Sequence, residues 1–262
     1  MESGQSTIIN GKVYYGGGNA SAESDCVIYC YDPQRDDWTT LPQLAVRRFG
    51  LGHIDGKLVV VGGTGKDSSA TSKELYIIGV DERSPKWRRN YYPPMPTARS
   101  FPTVVSHQSS LIVAGGFLTG YKYTRVVEIF SLQSQQWYVG DRLPTPCYNM
   151  STVVIQGVCY YLGGFNNNGT LNQALCTSVN DLCGNTLSQR AHSVDPGTCD
   201  TQSAWRTLTH TPVFGPSAVA IAGSLFALGG AETCAQTTTQ DKIYVYAPTS
   251  NSWIYVSDLP AP

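Results

Sequence analysis

A glycine pair at the end of a short apolar run recurs five times along this chain, and a tryptophan follows each pair. The first glycines of successive pairs lie 45, 53, 48 and 66 residues apart, and the tryptophan follows after 21, 25, 22, 42 and 24 residues. A period of about 48 residues over nearly the whole length indicates a repeat architecture. The pairs are Gly17-Gly18, Gly62-Gly63, Gly115-Gly116, Gly163-Gly164 and Gly229-Gly230, and the tryptophans are Trp38, Trp87, Trp137, Trp205 and Trp253.

Each repeat has the pattern of four strands. In the second repeat, apolar runs at 49–54 and 58–61 flank Asp55-Gly56, a two-residue hairpin signal, and the run 75–80 and the segment of Trp87 complete the set. The runs are rich in Val, Ile, Tyr and Phe, and no segment keeps a helical period. We therefore predict an all-β chain with repeats near 5–48, 49–99, 100–148, 149–214 and 215–262.

The glycine pairs and the tryptophans have separate physical roles in such repeats. A single four-stranded sheet cannot bury both of its faces, and radial stacking of the sheets as blades solves this. Glycine at the end of the second strand permits close approach of neighbouring backbones and a positive φ. A tryptophan on the outer strand supplies a large apolar surface where the wedge between two blades widens.

The residues resemble the kelch repeat, with its apolar run, Gly-Gly, an aromatic residue seven positions before the tryptophan, and then Leu-Pro. The aromatic-to-tryptophan spacing occurs as Tyr31 to Trp38, Phe130 to Trp137 and Tyr246 to Trp253, whereas the second repeat has Val80 in place of the aromatic residue. The trailing pairs are Leu41-Pro42, Leu143-Pro144 and Leu259-Pro260. The resemblance covers residues 1–262 as a single domain and implies a β-propeller, whose commonest use in this family is protein recognition.

Five complete strand sets favour five four-stranded blades that close by packing alone, as a monomer. The alternative is that the chain is part of a six-bladed propeller, the number that kelch proteins more often have.

Composition excludes several partners. The net charge is −1 and charged residues make up 14% of the chain, so no basic field is present to hold nucleic acid. No apolar run approaches the roughly 18 residues of a membrane span, and residues 1–10 lack the features of a signal peptide. We therefore expect a cytoplasmic protein with no membrane or nucleic-acid partner.

The fourth repeat carries an insertion at 181–202 that contains Cys183, His192 and Cys199, with Cys176 just upstream. These residues leave open a zinc site, a Cys183–Cys199 disulfide or an unlinked loop, although the spacings do not match a zinc knuckle. Closure entropy grows only logarithmically with loop length, and we expect the insertion to be dispensable for folding.

Catalytic signatures are weak. Copper-radical oxidases and a sialic acid mutarotase resemble this architecture, but the four histidines match no shared repeat position. We therefore predict a non-enzymatic module without a cofactor or metal that binds a protein or peptide, as a substrate-recognition or scaffold domain. A kelch-like carbohydrate-active enzyme and a purely structural, self-associating propeller remain as alternatives.

The predicted binding face lies at one end of the channel, on loops that join the outer strand of one blade to the inner strand of the next. In kelch substrate receptors of cullin ubiquitin ligases, arginines on this face bind acidic peptides. The sequence pattern around these arginines is Arg, apolar residue, Gly, any residue, Gly, and it is matched here by Arg48 to Gly52. This pattern aligns Arg48 with Ser100, Asn149 and Gly215 of the later repeats. Because these aligned residues are not arginines, few of the family's arginines are present. A second set of loops follows the glycine pairs and offers Asn19, Phe117, Tyr121, Tyr123, Phe165 and Asn166. The candidate partner-binding residues are Arg47, Arg48, Arg99, Ser100, Tyr148, Asn149, Phe214, Tyr121 and Asn166. The alternative for Arg48 is that its stem only packs across a blade junction.

Overall fold

Five four-stranded antiparallel sheets follow one another along the chain, one from each repeat. The computed structural model describes residues 4–17, 26–65, 70–120, 122–179, 205–233 and 239–260. Each sheet is a meander in which strands consecutive in the repeat pair side by side. The predicted all-β, five-bladed architecture is therefore confirmed, whereas the insertion at 181–202 lies outside the described residues.

In the described residues each blade has four strands, and three short two-stranded sheets lie in the loops between them. The first blade consists of β1 (Gln5–Ile9), β2 (Lys12–Gly16), β3 (Ile28–Asp32) and β4 (Asp37–Thr40). The second blade and its linker contain β5 (Val46–Arg47), β6 (Gly50–Ile54), β7 (Lys57–Val61), β8 (Thr64–Gly65), β9 (Leu75–Ile78) and β10 (Arg88–Arg89). The third contains β11 (Thr103–His107), β12 (Ser110–Ala114), β13 (Phe117–Leu118), β14 (Lys122–Tyr123), β15 (Val127–Ser131) and β16 (Gln136–Gly140). The fourth contains β17 (Ser151–Ile155), β18 (Val158–Leu162), β19 (Phe165–Asn166), β20 (Gly169–Thr170), β21 (Ala174–Ser178) and β22 (Arg206–Thr207). The fifth contains β23 (Ser217–Ile221), β24 (Ser224–Leu228), β25 (Lys242–Ala247) and β26 (Ser252–Asp258).

The hydrophobic core is divided among the junctions between blades. Alternate residues of one strand point to opposite faces of its sheet, and each blade therefore packs on two neighbours. In β12, Leu111 and Val113 face the second blade, whereas Ile112 and Ala114 face the fourth. Among the described residues four apolar clusters result, one at each junction from the first blade to the fifth.

In the second and third repeats, the glycine pair is required by the backbone of the next blade. A Cβ on Gly115 would lie 2.3 Å from the carbonyl oxygen of Cys147, and one on Gly62 would lie 2.5 Å from that of Arg99. The second glycine of the pair then donates its amide to the same carbonyl, as Gly116 does to Cys147 at 2.9 Å. The pair is therefore a site of close backbone approach between blades, as the sequence predicts.

The predicted closure of the ring is not seen in the described residues. Among these residues, no apolar cluster joins the fifth blade to the first. Large apolar side chains are instead exposed on these two blades, including Ile8 at 62% and Ile254 at 53%. Trp38, expected to be buried, is 57% exposed, whereas Trp137 is 5% exposed.

The cysteines of the described residues form no disulfide with one another. Cys26, Cys30, Cys147, Cys159 and Cys176 are all buried. No group of three or more potential metal ligands occurs in the part of the chain that the structure describes. Cys183 and Cys199 lie outside it, and the alternatives for that pair stay open.

Candidate binding face

Both predicted sets of loops meet on one face of the propeller. Each linker between blades forms a short backbone pairing with the loop that follows a glycine pair. Two segments that are distant in sequence therefore form one surface at each junction. The pairings are Arg47 with Thr64, Ser100 with Phe117, Tyr148 with Phe165, and Phe214 with Ala231.

The residue after each linker pairing has a left-handed backbone. The φ angle is +57° at Arg48, +49° at Phe101, +54° at Asn149 and +58° at Gly215. These four residues are thus the equivalent positions of their repeats, and the sequence alignment of Ser100 with Arg48 is wrong by one residue. The shift arose because Phe101 was aligned with Phe49, the residue after the left-handed position.

The left-handed residues are connected by backbone hydrogen bonds. The amide of Phe101 donates to the carbonyl of Arg48 at 2.6 Å, and the amide of Asn149 donates to that of Phe101 at 3.2 Å. A positive φ is a rare conformation for a bulky residue such as Phe101. Its backbone, held by these bonds, directs the ring toward Tyr148.

Five aromatic rings form a cluster on this face, which we call the aromatic cluster: Phe101, Phe117, Tyr123, Tyr148 and Phe165. Tyr148 is at its centre, because the centroids of the other four rings lie within 6.0 Å of its own. The Tyr123 and Tyr148 rings are stacked with centroids 5.5 Å apart. Tyr148 is half-buried, and this burial raises the pKa of its phenol, which stays neutral at physiological pH.

The aromatic cluster borders a cavity of about 790 Å³ at the axis of the propeller. Phe101, Tyr148, Phe165 and Phe214 line it, together with Asn149. The first residues of four inner strands also line it, Gln5, Thr103, Ser151 and Ser217, together with apolar residues such as Val104 and Met150. Among the described residues that line it, none carries a formal charge.

Arg99 is a structural residue, and its prediction as a partner-binding arginine is wrong. Its side chain is fully buried, with Nη2 2.5 Å from Oε2 of Glu128. Nη1 donates to the carbonyls of Gly115 and Val126 at 2.9 and 2.8 Å. The guanidinium therefore fixes both ends of the loop that carries Phe117, and it cannot reach a partner.

Ser100 is also unavailable to a partner, because it is 2% exposed and lies under the pairing with Phe117. Arg48 is half-buried, and its guanidinium carbon lies 5.6 Å from the centroid of the Phe101 ring. This contact crosses the junction between two blades, as the packing alternative for Arg48 expects.

The other candidates differ in their relation to the cavity. Asn149 and Phe214 line the cavity beside Tyr148. Asn166 turns the β19–β20 hairpin by accepting a hydrogen bond from the amide of Asn168 at 2.8 Å. Arg47 has a buried Nε without a hydrogen-bond partner in the described structure. Tyr121 lies outside the described residues.

Phe101 is the main residue that sequence reasoning missed. Aligning the linkers so that Phe49, Pro102, Met150 and Pro216 are equivalent would have found it, because each of these residues directly follows a left-handed residue. This alignment places Phe101 at the position of Arg48. Phe117, Tyr123 and Phe165 were recognised on the second loop set, but their contact with Tyr148 depends on pairing between loops.

The fold defines a kelch-type β-propeller that carries an aromatic cluster on one face. The family model for the KLHDC2/KLHL20/DRC7 Kelch-repeats domain matches residues 51–258. The chain belongs to this kelch-repeat family. No helix in the described residues is long and apolar enough to cross a membrane.

Known proteins similar to this chain agree with that assignment. Kelch-like protein 40 of Mus musculus is 30% identical over 159 residues, which are 59% of this chain and 24% of that protein. Kelch repeat and BTB domain-containing protein 1 of Cowpox virus is 29% identical over 161 residues, which are 60% of this chain and 27% of that protein. The chain thus matches about a quarter of the length of these relatives. The solved structure of YjhT aligns with a TM-score of 0.73 at 16% identity, over 98% of this chain and 84% of that one.

Proposed function

We propose that this chain is a non-enzymatic module that binds a protein through a peptide segment placed on the aromatic cluster at the mouth of the cavity. The observation that carries the proposal is the convergence of four rings on Tyr148, each within 6.0 Å of it. Aromatic side chains next to a concave, partly apolar site are the usual anchors of protein interfaces. Membership of the kelch-repeat family supports a protein partner in general.

The chemistry of the cavity favours a ligand segment without charge. The hydroxyls and amides that line it can hydrogen-bond a peptide backbone, and the rings can pack against apolar side chains. Arg99 is buried and Arg48 lies over Phe101, so the face presents few of the cations that an acidic peptide would need. Among the described residues that line the cavity there is no carboxylate, histidine, cysteine or lysine, which supports binding rather than acid–base catalysis. Cys30, Cys147 and Cys176 are buried and form no disulfide, which supports a cytoplasmic location.

A peptide selection tests the proposal. The intact chain is used to enrich peptides from a random phage-displayed library, and the affinity of each enriched peptide is measured by fluorescence anisotropy. We expect Tyr148→Ala to weaken binding at least about tenfold, because the centre of the cluster is lost. Tyr148→Phe, which removes only the hydroxyl, should retain most of the affinity.

Tyr91→Ala is the matched control, because Tyr91 is 59% exposed and lies outside the aromatic cluster. It should leave the affinity unchanged. The affinity of the selected peptides should also change less than about threefold between roughly 0.05 and 0.5 M salt, since screening acts on charged contacts. Selected peptides that bind Tyr148→Ala as well as the parent chain would contradict the proposed site, and steep salt dependence would contradict an uncharged ligand.

A further inference from the structure

The left-handed residues at the mouth of the cavity form a row that is linked by backbone hydrogen bonds in one direction. The amide of Phe101 donates to the carbonyl of Arg48 at 2.6 Å, and the amide of Asn149 donates to the carbonyl of Phe101 at 3.2 Å. Each of these two carbonyls therefore accepts from the left-handed residue of the following blade. Continued to the next blade, the same pattern would join the carbonyl of Asn149 to the amide of Gly215.

The row ends at Asn149 instead, because the amide of Gly215 donates to the carbonyl of Leu171 at 2.8 Å. The linker into the fifth blade is shifted here. A Cβ on Gly163 would lie 2.8 Å from the Cα of Gly215 itself, whereas the first glycine of the preceding pair faces Cys147, two residues before the left-handed position. Among the described residues, none donates a hydrogen bond to the Asn149 carbonyl.

The row of ring contacts ends at the same place. Tyr148 contacts the four other rings of the aromatic cluster, and its counterpart in the next linker is Phe214, which pairs with Ala231 as Tyr148 pairs with Phe165. In the part of the chain that the structure describes, the Phe214 ring does not contact the Tyr148 ring, although both residues line the cavity. The mouth thus presents an open backbone acceptor beside two aromatic side chains that do not touch.

The Asn149 carbonyl is held in a fixed direction. The Asn149 amide is bonded to Phe101, and the next amide, that of Met150, donates to the hydroxyl of Thr103 at 2.9 Å. Asparagine also tolerates the left-handed backbone that this position has. An acceptor that is already oriented loses little freedom when a donor binds to it, which favours a specific contact at this atom.

We propose, building on the proposed function, that the main chain of the peptide ligand continues this row. One backbone N–H of the ligand donates to the Asn149 carbonyl, and the side chain of the same ligand residue packs between Tyr148 and Phe214. This ligand residue, the anchor, is large and apolar, in keeping with a lining that carries no formal charge among the described residues. It is not proline, because proline has no N–H to donate.

An amide-to-ester scan of a ligand tests the donor. The probe is a phage-selected peptide whose binding requires Tyr148, and each of its peptide bonds is replaced in turn by an ester, which removes the N–H without adding bulk. We expect the ester at the anchor to weaken binding about three- to tenfold, the effect of one lost hydrogen bond. Esters at the ends of the peptide are the matched controls, and the enriched sequences should lack proline at the anchor.

A carbonyl signal reports the acceptor directly. Asn149 and Met150 form the only Asn-Met pair of the chain, so protein labelled with carbon-13 at asparagine carbonyls and nitrogen-15 in methionine gives one carbonyl correlation in an HNCO spectrum. We expect the Asn149 carbonyl carbon to move downfield when the peptide binds. At equal saturation, the peptide with the anchor ester should leave it near its free position.

Phe214→Ala tests the side-chain contact. It should weaken binding of the selected peptide at least about fivefold, yet have little effect on the same peptide with alanine at the anchor. The two changes are then non-additive, as expected for groups in direct contact.

The outcomes separate this proposal from the proposed function. A peptide that requires Tyr148 but leaves the Asn149 carbonyl unshifted would overturn the proposal and leave the proposed function standing. The same holds for a scan in which no ester weakens binding, and for additive effects of Phe214→Ala and the alanine anchor. If no selected peptide requires Tyr148, the proposed function fails and the contact at Asn149 fails with it.

Discussion

Arg99 and Glu128 form a buried ion pair, and the arginine holds both ends of a loop in place. Their pair has both side chains at 0% exposure, unlike the other ion pairs of the described residues. Glu128 also accepts a hydrogen bond from the hydroxyl of Thr97 at 2.6 Å. The sequence gives no sign of this role, because an arginine in a linker has the same appearance whether it is buried or exposed.

Removing one partner of the buried pair leaves an uncompensated charge. We expect Arg99→Ala to lower the free energy of unfolding by about 3–5 kcal/mol, measured by urea denaturation. Arg89→Ala is the control, because Arg89 pairs with Glu74 at 3.1 Å but is 63% exposed. It should cost less than about 1 kcal/mol. Equal losses in the two variants would show that the Arg99 pair is not a stabilising element of the native state.

The hairpin between the first two strands of each blade is the element whose geometry follows most directly from sequence. Asn10-Gly11 and Ala222-Gly223 both have two consecutive positive φ angles, +50° and +76° in the first and +49° and +77° in the second. Two such residues form a turn that favours Asn-Gly. Alanine at 222 therefore occupies a conformation in which its Cβ is strained.

Ala222→Asn should therefore stabilise the protein. We expect a rise in melting temperature of about 1–3 °C by differential scanning calorimetry, since asparagine tolerates the left-handed region better than alanine. The reverse change at the equivalent turn, Asn10→Ala, should lower it by a similar amount. A fall in melting temperature with Ala222→Asn would contradict this account of the turn.

At the scale of the whole molecule, the repeats were predictable and their assembly was only partly so. Glycine pairs, tryptophans and hairpin signals recur within each repeat, and local strand order follows from them. The separation between the first and fifth blades depends on the angle between neighbouring sheets, which no single residue determines. The aromatic cluster was hidden for a similar reason, because Phe101, Tyr123 and Tyr148 meet only after separate loops have paired.

The insertion of the fourth repeat provides a test of repeat independence. We expect deletion of residues 184–198 to change the melting temperature by no more than about 3 °C, since lengthening a loop costs little closure entropy. The strands on either side, Ala174–Ser178 and Arg206–Thr207, already pair with each other in the described structure. Loss of soluble protein on deletion would show instead that the insertion takes part in folding.

The direction of the tryptophan contacts has a consequence for biosynthesis. Four indoles, one at each described junction between consecutive blades, donate to a backbone carbonyl that was synthesised earlier: Trp87 to Pro42, Trp137 to Pro93, Trp205 to Asp141 and Trp253 to Thr209. Each blade is also made from consecutive strands, so it can form before the next one has been translated. A blade that emerges from the ribosome can thus lock onto the one already folded, and the propeller can grow in step with translation.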